Sequence, residues 1–173
     1  MSRGQVVKVF VYVVRAIGPT GRLLVFQSHD EAGFEVPKGS VHPDESLEEA
    51  ARREVLEESG IVLGPEVLPL GTTTWRNEAQ HFFVAFAAGS PQERFVHRVG
   101  GSDLDAGLHY TFHWEPIREK LHALLVQGSD RFVDALLVSA ASLADGATRH
   151  DRRRPIRSTS ETTGGDSASP KNS

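Results

Sequence analysis

The segment from Ser46 to Gly60 carries helix signals at both ends and limits what the rest of the chain can build around it. Ser46 can cap the first turn, and Glu49, three residues later, can reach back to the Ser46 backbone N–H in a capping box. Gly60 suits the left-handed position just past the end of a helix. Most residues between them have high helix propensity. The sequence therefore predicts a helix from about Leu47 to Ser59.

Three carboxylates of this helix share a face with small apolar side chains. At about 100° per residue, one stripe should pack on the protein, and its apolar members are Leu47, Ala50 and Ala51. Glu54 lies in the middle of that stripe, Glu58 one turn further along it, and Glu57 at its edge. The side chains expected to point the other way are Glu48, Glu49, Arg52 and Ser59.

Such a stripe of glutamates has two interpretations. Like charges at these spacings repel, and burying them costs free energy. A hard divalent cation such as Mg²⁺ favours carboxylate oxygens and would remove the cost, and Arg53 on the helix rim could hold a carboxylate in place. A solvated glutamate-rich helix needs no cation. The spacing alone leaves both interpretations open.

The loop before the helix extends the pattern. In Pro37-Lys38-Gly39-Ser40, the glycine lets backbone approach a metal or phosphate and the lysine adds positive charge, although an ordinary turn explains the same residues. Gly39, then five residues, Glu45, then seven residues and the run from Arg53 to Ile61 match G-x5-E-x7-R-E-U-x-E-E-x-G-U, where U is a bulky aliphatic residue. All nine specified positions match, so the segment resembles the Nudix box in full.

The resemblance implies an α/β fold, a Nudix-type α/β/α sandwich around a mixed β-sheet, with the box as loop–helix–loop. It also implies hydrolysis of a nucleoside diphosphate linked to another moiety, with Mg²⁺ or Mn²⁺ as the cofactor. The metal ligands that it implies are the Gly39 carbonyl, Glu54, Glu57 and Glu58. Arg53 and Glu45 match positions that orient the loop and the helix.

Nudix enzymes often take a further acid, sometimes the general base, from outside the box. The segment Gly100–Gly107 precedes a predicted strand, where such an acid often lies. We favour Asp105 for this role, then Asp103, with Glu78 as a third candidate. A plain Gly/Asp loop is the alternative for either aspartate.

Substrate contacts are less specified by the sequence. Lys38 is a candidate for binding phosphate, Trp75 for stacking on a base and Arg76 for a second phosphate contact. Packing of Trp75 over the sheet edge is the alternative. The approach Val36–Gly39 resembles that of dinucleoside and inositol polyphosphate hydrolases, but it also occurs in many other relatives, so the leaving group stays open.

The remaining pattern predicts strands on both sides of the box. Strands are expected at Gln5–Val14, Arg22–Gln27, Val67–Leu70, Gln80–Ala87 and Leu108–Trp114, with a short extended segment at Phe34–Val36. The turn Gly18-Pro19-Thr20-Gly21 should join the first two strands as a hairpin. Helices are expected at Ile117–Val126 and Asp130–Leu143. Residues 1–145 are thus predicted to form one domain, and residues 146–173, which are polar and almost free of apolar side chains, a disordered tail.

Composition excludes some classes of function. The 173 residues include no cysteine, which excludes disulfides and thiolate metal sites. The net charge of −4 argues against a sequence-blind nucleic-acid binder, and no apolar run is long enough to span a membrane. We expect a cytoplasmic enzyme that acts on a small nucleotide, with a homodimer as a possibility. The alternatives are a non-catalytic nucleotide sensor of the same fold and an RNA-decapping enzyme that uses Arg152, Arg153 and Arg154.

Overall fold

The computed structural model describes residues 5–17, 20–27 and 32–139. In chain order the described elements are β1 (Val6–Ile17), β2 (Thr20–Gln27), β3 (Lys38–Ser40), α1 (Leu47–Ser59), β4 (Leu63–Trp75), β5 (Glu78–Ala87), β6 (Arg94–Arg98), β7 (His109–Pro116), α2 (Leu121–Leu124) and α3 (residues 133–139). Gly18 and Pro19 of the predicted turn, and the predicted tail at residues 146–173, lie outside the described residues.

The strands form one mixed sheet in the order β4-β5-β1-β2-β7-β6. β1 runs parallel to β5, and the other pairs are antiparallel. Both β2 and β3 pair with the same edge of β1. β2 pairs with the last residues of β1, from Val14 to Ile17, and β3 pairs with Lys8 to Phe10. The chain at residues 34–37 fills the space between them, because Glu35 exchanges backbone hydrogen bonds with Phe26 and the Pro37 carbonyl accepts from the Val11 N–H. The sheet therefore splits beside β3.

β1 is apolar on both faces because both faces of the sheet are covered. Val9, Val11 and Val13 point to one side, where they join Ala50, Ala51 and Val55 of α1 in a buried cluster. Phe10, Tyr12 and Val14 point to the other side, where they join Leu121 of α2 and residues 133 and 136 of α3. The α/β/α sandwich is thus confirmed, and α1 is the one helix on the first face among the described residues.

Several predicted elements are confirmed with changed bounds. The hairpin partners pair from Ile17 and Thr20 onward, and α1 has the predicted ends. The strand predicted at Val67–Leu70 is longer, Leu63–Trp75, and pairs with β5 along an outer edge. β6 was not predicted. Arg94, Val96 and Arg98 of β6 are exposed and alternate with Phe95 and His97, as in a strand with one solvated face, and Phe95 packs against the α1-side core.

The helix predicted at Ile117–Val126 is wrong over most of its length. Only Leu121–Leu124 is helical, and Leu125 is extended. The reason is a pairing with a distant segment: the Phe34 N–H donates to the Leu124 carbonyl at 2.8 Å, and the Val126 N–H donates to the Phe34 carbonyl at 2.9 Å. The helix predicted from Asp130 begins at residue 133, and its predicted end at Leu143 lies outside the described residues.

The capping box of α1 is a testable part of this fold. The Ser46 Oγ accepts from the Glu49 N–H at 3.2 Å, and the Glu49 carboxylate accepts from the Ser46 N–H at 2.8 Å. Ser46→Ala removes an N-cap acceptor, so we expect a loss of about 1 kcal/mol of unfolding free energy. Thermal unfolding should show a fall in Tm of about 3 °C. Ser46→Asp keeps an acceptor and serves as the control; an equal fall in both variants would contradict the capping role.

Candidate active site

Two glutamates of α1 are buried, as the helical period predicts. Glu54 is 3% exposed and Glu58 is 5% exposed, on the same side of the helix as Ala50 and Ala51. The same period predicts that Ser59 faces solvent, and there it is wrong. The Ser59 hydroxyl is buried, because it donates to the Val55 carbonyl at 2.6 Å and accepts from the Ile61 N–H at 3.2 Å.

Burial changes the protonation of both carboxyl groups. It raises the pKa of Glu54 to about 7, against the lowering effect of Arg53. It also raises the pKa of Glu58 well above its ordinary value, against the lowering effect of Lys38. Removal from water penalises the charged form of a carboxyl group. Without a bound cation, both groups are therefore drawn towards the neutral form.

Arg53 organises the carboxylates around the start of the site. Its guanidinium donates to Glu45 at 2.6 and 3.0 Å, to Glu54 at 2.8 Å and to Glu57 at 3.1 Å. It also donates to the Ser40 carbonyl at 2.8 Å, which ties the helix to β3. The hydrogen bonds from Arg53 lower the pKa of Glu45 to about 2. The orienting role expected for Arg53 and Glu45 is consistent with these contacts.

β3 brings the loop before the helix against the buried carboxylates. Gly39 lies opposite Val9 of β1, and a Cβ atom at Gly39 would lie 2.0 Å from the Glu54 carboxyl carbon. Only glycine leaves room for that carboxylate. The Lys38 backbone N–H donates to the Glu58 carboxylate at 3.1 Å, and the Lys38 ammonium pairs with Glu35.

Glu57 is held from the other side by the chain around the end of β6. Its backbone carbonyl accepts from the Gly100 N–H at 2.8 Å and lies 3.2 Å from the His97 Nε2 atom. Gly101, at φ +76°, lies so close that a Cβ atom would be 2.5 Å from a Glu57 carboxylate oxygen. No spacing or motif in the sequence indicates this contact between the helix and β6.

A cleft of about 430 Å³ opens beside these groups, at the split in the sheet. Its lining includes Lys8, Phe26, Lys38, Gly39, Ser40, Glu58, Ser102, Asp103, Leu104, Asp105 and Tyr110. Phe26 and Tyr110 stack with their ring centroids 4.5 Å apart. Burial raises the pKa of Tyr110, so its hydroxyl stays protonated and donates to Asp105 at 3.3 Å. Aromatic, cationic and acidic side chains therefore meet in one cleft.

The three candidate acids outside the box do not all lie at the cleft. Asp103 and Asp105 line the cleft, and the charge of Asp105 contributes to the raised pKa of Glu58. Glu78 is not among the lining residues and pairs with Lys8 at 3.1 Å. Trp75 ends β4 and Arg76 follows it in the β4–β5 turn, where the guanidinium is 4.4 Å from the indole ring; neither residue lines the cleft. A substrate role for those two residues stays a prediction.

Sequence reasoning missed Lys8, Phe26 and Tyr110 as cleft residues. Lys8 left one signal, because it interrupts the otherwise apolar run from Val6 to Val14. A charge in a strand covered on both faces needs a reason. Phe26 and Tyr110 left none, since aromatic residues in strands are most often core.

The oxygen donors at the site fit a hard divalent cation in kind. The Glu54 carboxylate packs directly on Gly39, Glu58 approaches the backbone of Lys38, and both carboxyl groups are buried. Carboxylate and carbonyl oxygens are the donors that Mg²⁺ and Mn²⁺ favour. Over residues 5–17, 20–27 and 32–139, no three acidic or imidazole side chains are gathered at one point. In this arrangement Arg53 pairs with both Glu54 and Glu57.

Among the described residues, no helix has the length and apolarity to cross a membrane.

Comparison with known proteins agrees with the fold and the motif. A family model described as the NUDIX domain matches residues 7–136. A MutT structure from work on Aliivibrio salmonicida and Vibrio cholerae aligns with a TM-score of 0.56 and 17% identity, over 80% of this chain and 98% of that one. A NUDIX hydrolase from Nitrosomonas europaea aligns with a TM-score of 0.56 and 16% identity, over 84% of this chain and 76% of that one. The NUDIX domain of Shewanella oneidensis NrtR, complexed with ADP ribose, aligns with a TM-score of 0.58 and 17% identity, over 79% of this chain and 89% of that one.

Proposed function

Because the chain belongs to the Nudix family, we propose that it is a hydrolase that uses Mg²⁺ or Mn²⁺ to cut a diphosphate linkage in a small nucleotide. The substrate would be a nucleoside diphosphate linked to another group, such as a nucleotide, a dinucleoside polyphosphate or a nucleotide sugar. The observation that carries the proposal is the pair of buried carboxyl groups, Glu54 and Glu58, packed against Gly39 and Lys38 beside an open cleft.

The proposed roles follow from position and charge. Glu54, Glu57, Glu58 and the Gly39 carbonyl would hold the cation. A bound divalent ion supplies neutralisation of phosphate charge and a lower pKa for water. Arg53 keeps the glutamates oriented, and the Lys38 ammonium at the cleft binds phosphate oxygens. Asp105 takes a proton from the water that attacks phosphorus, while the bridging P–O bond breaks and its electron pair leaves with the departing phosphate.

The role of Asp105 gives a graded prediction. Asp105→Asn removes the basic group but keeps an oxygen that can accept from Tyr110, so the cleft should stay folded. We expect kcat to fall about tenfold to a hundredfold, since positioned general bases contribute on that scale or above, and less than for loss of a metal-binding glutamate. Steady-state kinetics of this variant beside Asp103→Asn would check it. An unchanged rate for Asp105→Asn would move the base to Asp103, Glu78 or water alone.

The proposal as a whole is tested by a phosphate-release screen with and without Mg²⁺ or Mn²⁺. The panel spans nucleoside triphosphates, dinucleoside polyphosphates, nucleotide sugars, ADP-ribose and capped RNA, with the Glu58→Gln variant as the control. Metal-dependent cleavage that the variant lacks would support the proposal and identify the substrate group. Nucleotide binding by folded protein without any cleavage would contradict it in favour of a sensor. Action in the cytoplasm and a homodimer stay predictions.

A further inference from the structure

A row of polar side chains crosses four neighbouring strands at the open end of the sheet. Thr73 of β4 lies opposite Gln80 of β5, Gln80 lies opposite Lys8 of β1, and Lys8 lies opposite Ser40 of β3. Directly opposed residues of paired strands point to the same face. At about 4.8 Å per strand spacing the row spans roughly 14 Å. We call these four residues the polar row.

The polar row joins two openings of the surface. Lys8 and Ser40 line the cleft that holds Glu58 and Asp105. Thr73 lines a second cleft of about 420 Å³ on the far side of the row. The row thus leads away from the proposed catalytic groups to a space that the proposed chemistry does not use.

An aromatic wall borders the row on the side of the core. Phe10 and Phe82, in the next register positions of β1 and β5, stack with ring centroids 4.6 Å apart. Phe132 extends the wall, 4.8 Å from Phe82, and packs on Gly71 of β4 so closely that a Cβ atom there would lie 2.1 Å from its ring. Phe10 and Phe82 are 5% and 0% exposed, so the wall belongs to the core and gives the polar row a rigid support.

Gln80 carries an unmet acceptor in the middle of the row. The residue is 3% exposed, and its Nε2 atom donates to Glu78 at 3.3 Å. Its Oε1 atom is buried and has no hydrogen-bond partner among the described residues. A buried acceptor without a partner lowers stability by about 1–3 kcal/mol. Such a group calls for a donor that the chain itself does not provide.

The Glu78 carboxylate lies beside Gln80, at a place where the phosphate of a ligand could bind instead. One of its carboxylate oxygens lies 3.1 Å from the Lys8 ammonium, and the other accepts from the Gln80 amide. The side chains of Lys8 and Glu78 are 31% and 26% exposed, so the pair is half-solvated and contributes little stability. A phosphate group can therefore replace the Glu78 carboxylate at Lys8. When that carboxylate moves away, the Gln80 amide becomes open to a ligand.

We propose that the polar row is the binding subsite for the nucleoside part of the substrate. Lys8 receives the phosphate next to the ribose, and Gln80 Oε1 accepts an N–H of the base. This assignment rests on the proposed function for the bond that is cut. Binding of a nucleotide to the row does not require cleavage.

The test measures binding without divalent metal, by calorimetric titration of the full chain with ADP and with inorganic pyrophosphate. For Gln80→Met we expect affinity for ADP to fall roughly tenfold, the value of one hydrogen bond, with pyrophosphate binding unchanged. The same variant should raise Tm by about 3 °C, because it removes the unmet acceptor. Lys8→Met should weaken both ligands at least tenfold. Gln92→Met, at an exposed glutamine away from the row, is the control and should change neither.

The combination of a higher Tm with weaker ADP binding distinguishes a ligand site from a structural role. If Gln80→Met raises Tm and leaves ADP affinity unchanged, the acceptor is only a packing defect and the inference is wrong. It is equally wrong if the variant weakens ADP and pyrophosphate alike, or if ADP does not bind the wild-type protein. Absence of hydrolysis in the phosphate-release screen, with the ADP results as expected, would overturn the proposed function and leave this subsite standing.

Discussion

Glu58→Gln is expected to lower kcat roughly a thousandfold and to leave the fold intact. Glu58 is buried, and removal from water already disfavours its charge. Glutamine has nearly the same shape, and its amide oxygen can accept from the Lys38 N–H as the carboxylate does. The substitution removes a charge that Lys38 compensates only in part and that a bound cation would compensate further. Loss of such a cation costs several kcal/mol of transition-state stabilisation, and each 1.36 kcal/mol is tenfold in rate.

Kinetics, thermal unfolding and Mn²⁺ titration followed by electron paramagnetic resonance would measure these effects together. We expect Tm to stay the same or rise, kcat to collapse and Mn²⁺ affinity to weaken, with similar losses of activity for Glu57→Gln. Glu48→Gln is the matched control, because Glu48 lies on the exposed side of α1 and forms an ion pair with Arg52, away from the buried glutamates. Near-normal turnover in either Glu57→Gln or Glu58→Gln would show that the metal assignment is wrong.

Gly39→Ala is expected to reduce kcat/KM about a hundredfold with a small effect on stability. The new methyl group would lie 2.0 Å from the Glu54 carboxyl carbon, well inside contact distance. Gly39 is held in register with Val9, so the strand cannot easily retreat. The carboxylate at the end of the Glu54 side chain moves instead. A displacement of about 1 Å in a reacting group can cost a hundredfold in rate.

The comparison of Gly39→Ala with Gly64→Ala isolates this effect. A Cβ atom at Gly64 would meet its nearest neighbour, the Phe86 carbonyl oxygen, at 3.4 Å, which is an ordinary contact. We expect Gly64→Ala to keep full activity and Gly39→Ala to lose it, with both proteins folded by circular dichroism. Equal activity in the two variants would mean that the position of the Glu54 carboxylate does not matter for turnover.

Local chemistry explains why α1 can be predicted in detail. Its two ends are specified by Ser46, Glu49 and Gly60, which act within one turn of the chain. The helical period alone assigns Glu54 and Glu58 to the packed side, and both are buried. The apolar run of β1 and its hairpin with β2 depend on neighbours along the chain in the same way.

Predictions failed where a distant partner decides the conformation. The composition from Leu121 to Val126 is that of a helix. The helix ends at Leu124 because the backbone of Phe34 forms hydrogen bonds with Leu124 and Val126. β6 has few apolar residues, and it becomes a strand because β7 offers a free edge and Phe95 a place in the core. Propensity is a weak preference that such contacts override.

The helix, the order of its charges and the membership of the family follow from the amino-acid sequence, because caps, periodicity and the spacing of a motif are properties of adjacent residues. The surroundings of those charges follow only from tertiary packing. Lys8, Tyr110 and Asp105 reach the cleft from strands and loops far apart in the chain, and His97 and Gly101 come to lie against Glu57 in the same way. These contacts depend on sheet order and register, which arise from the free energy of the whole packed domain and not from any one segment.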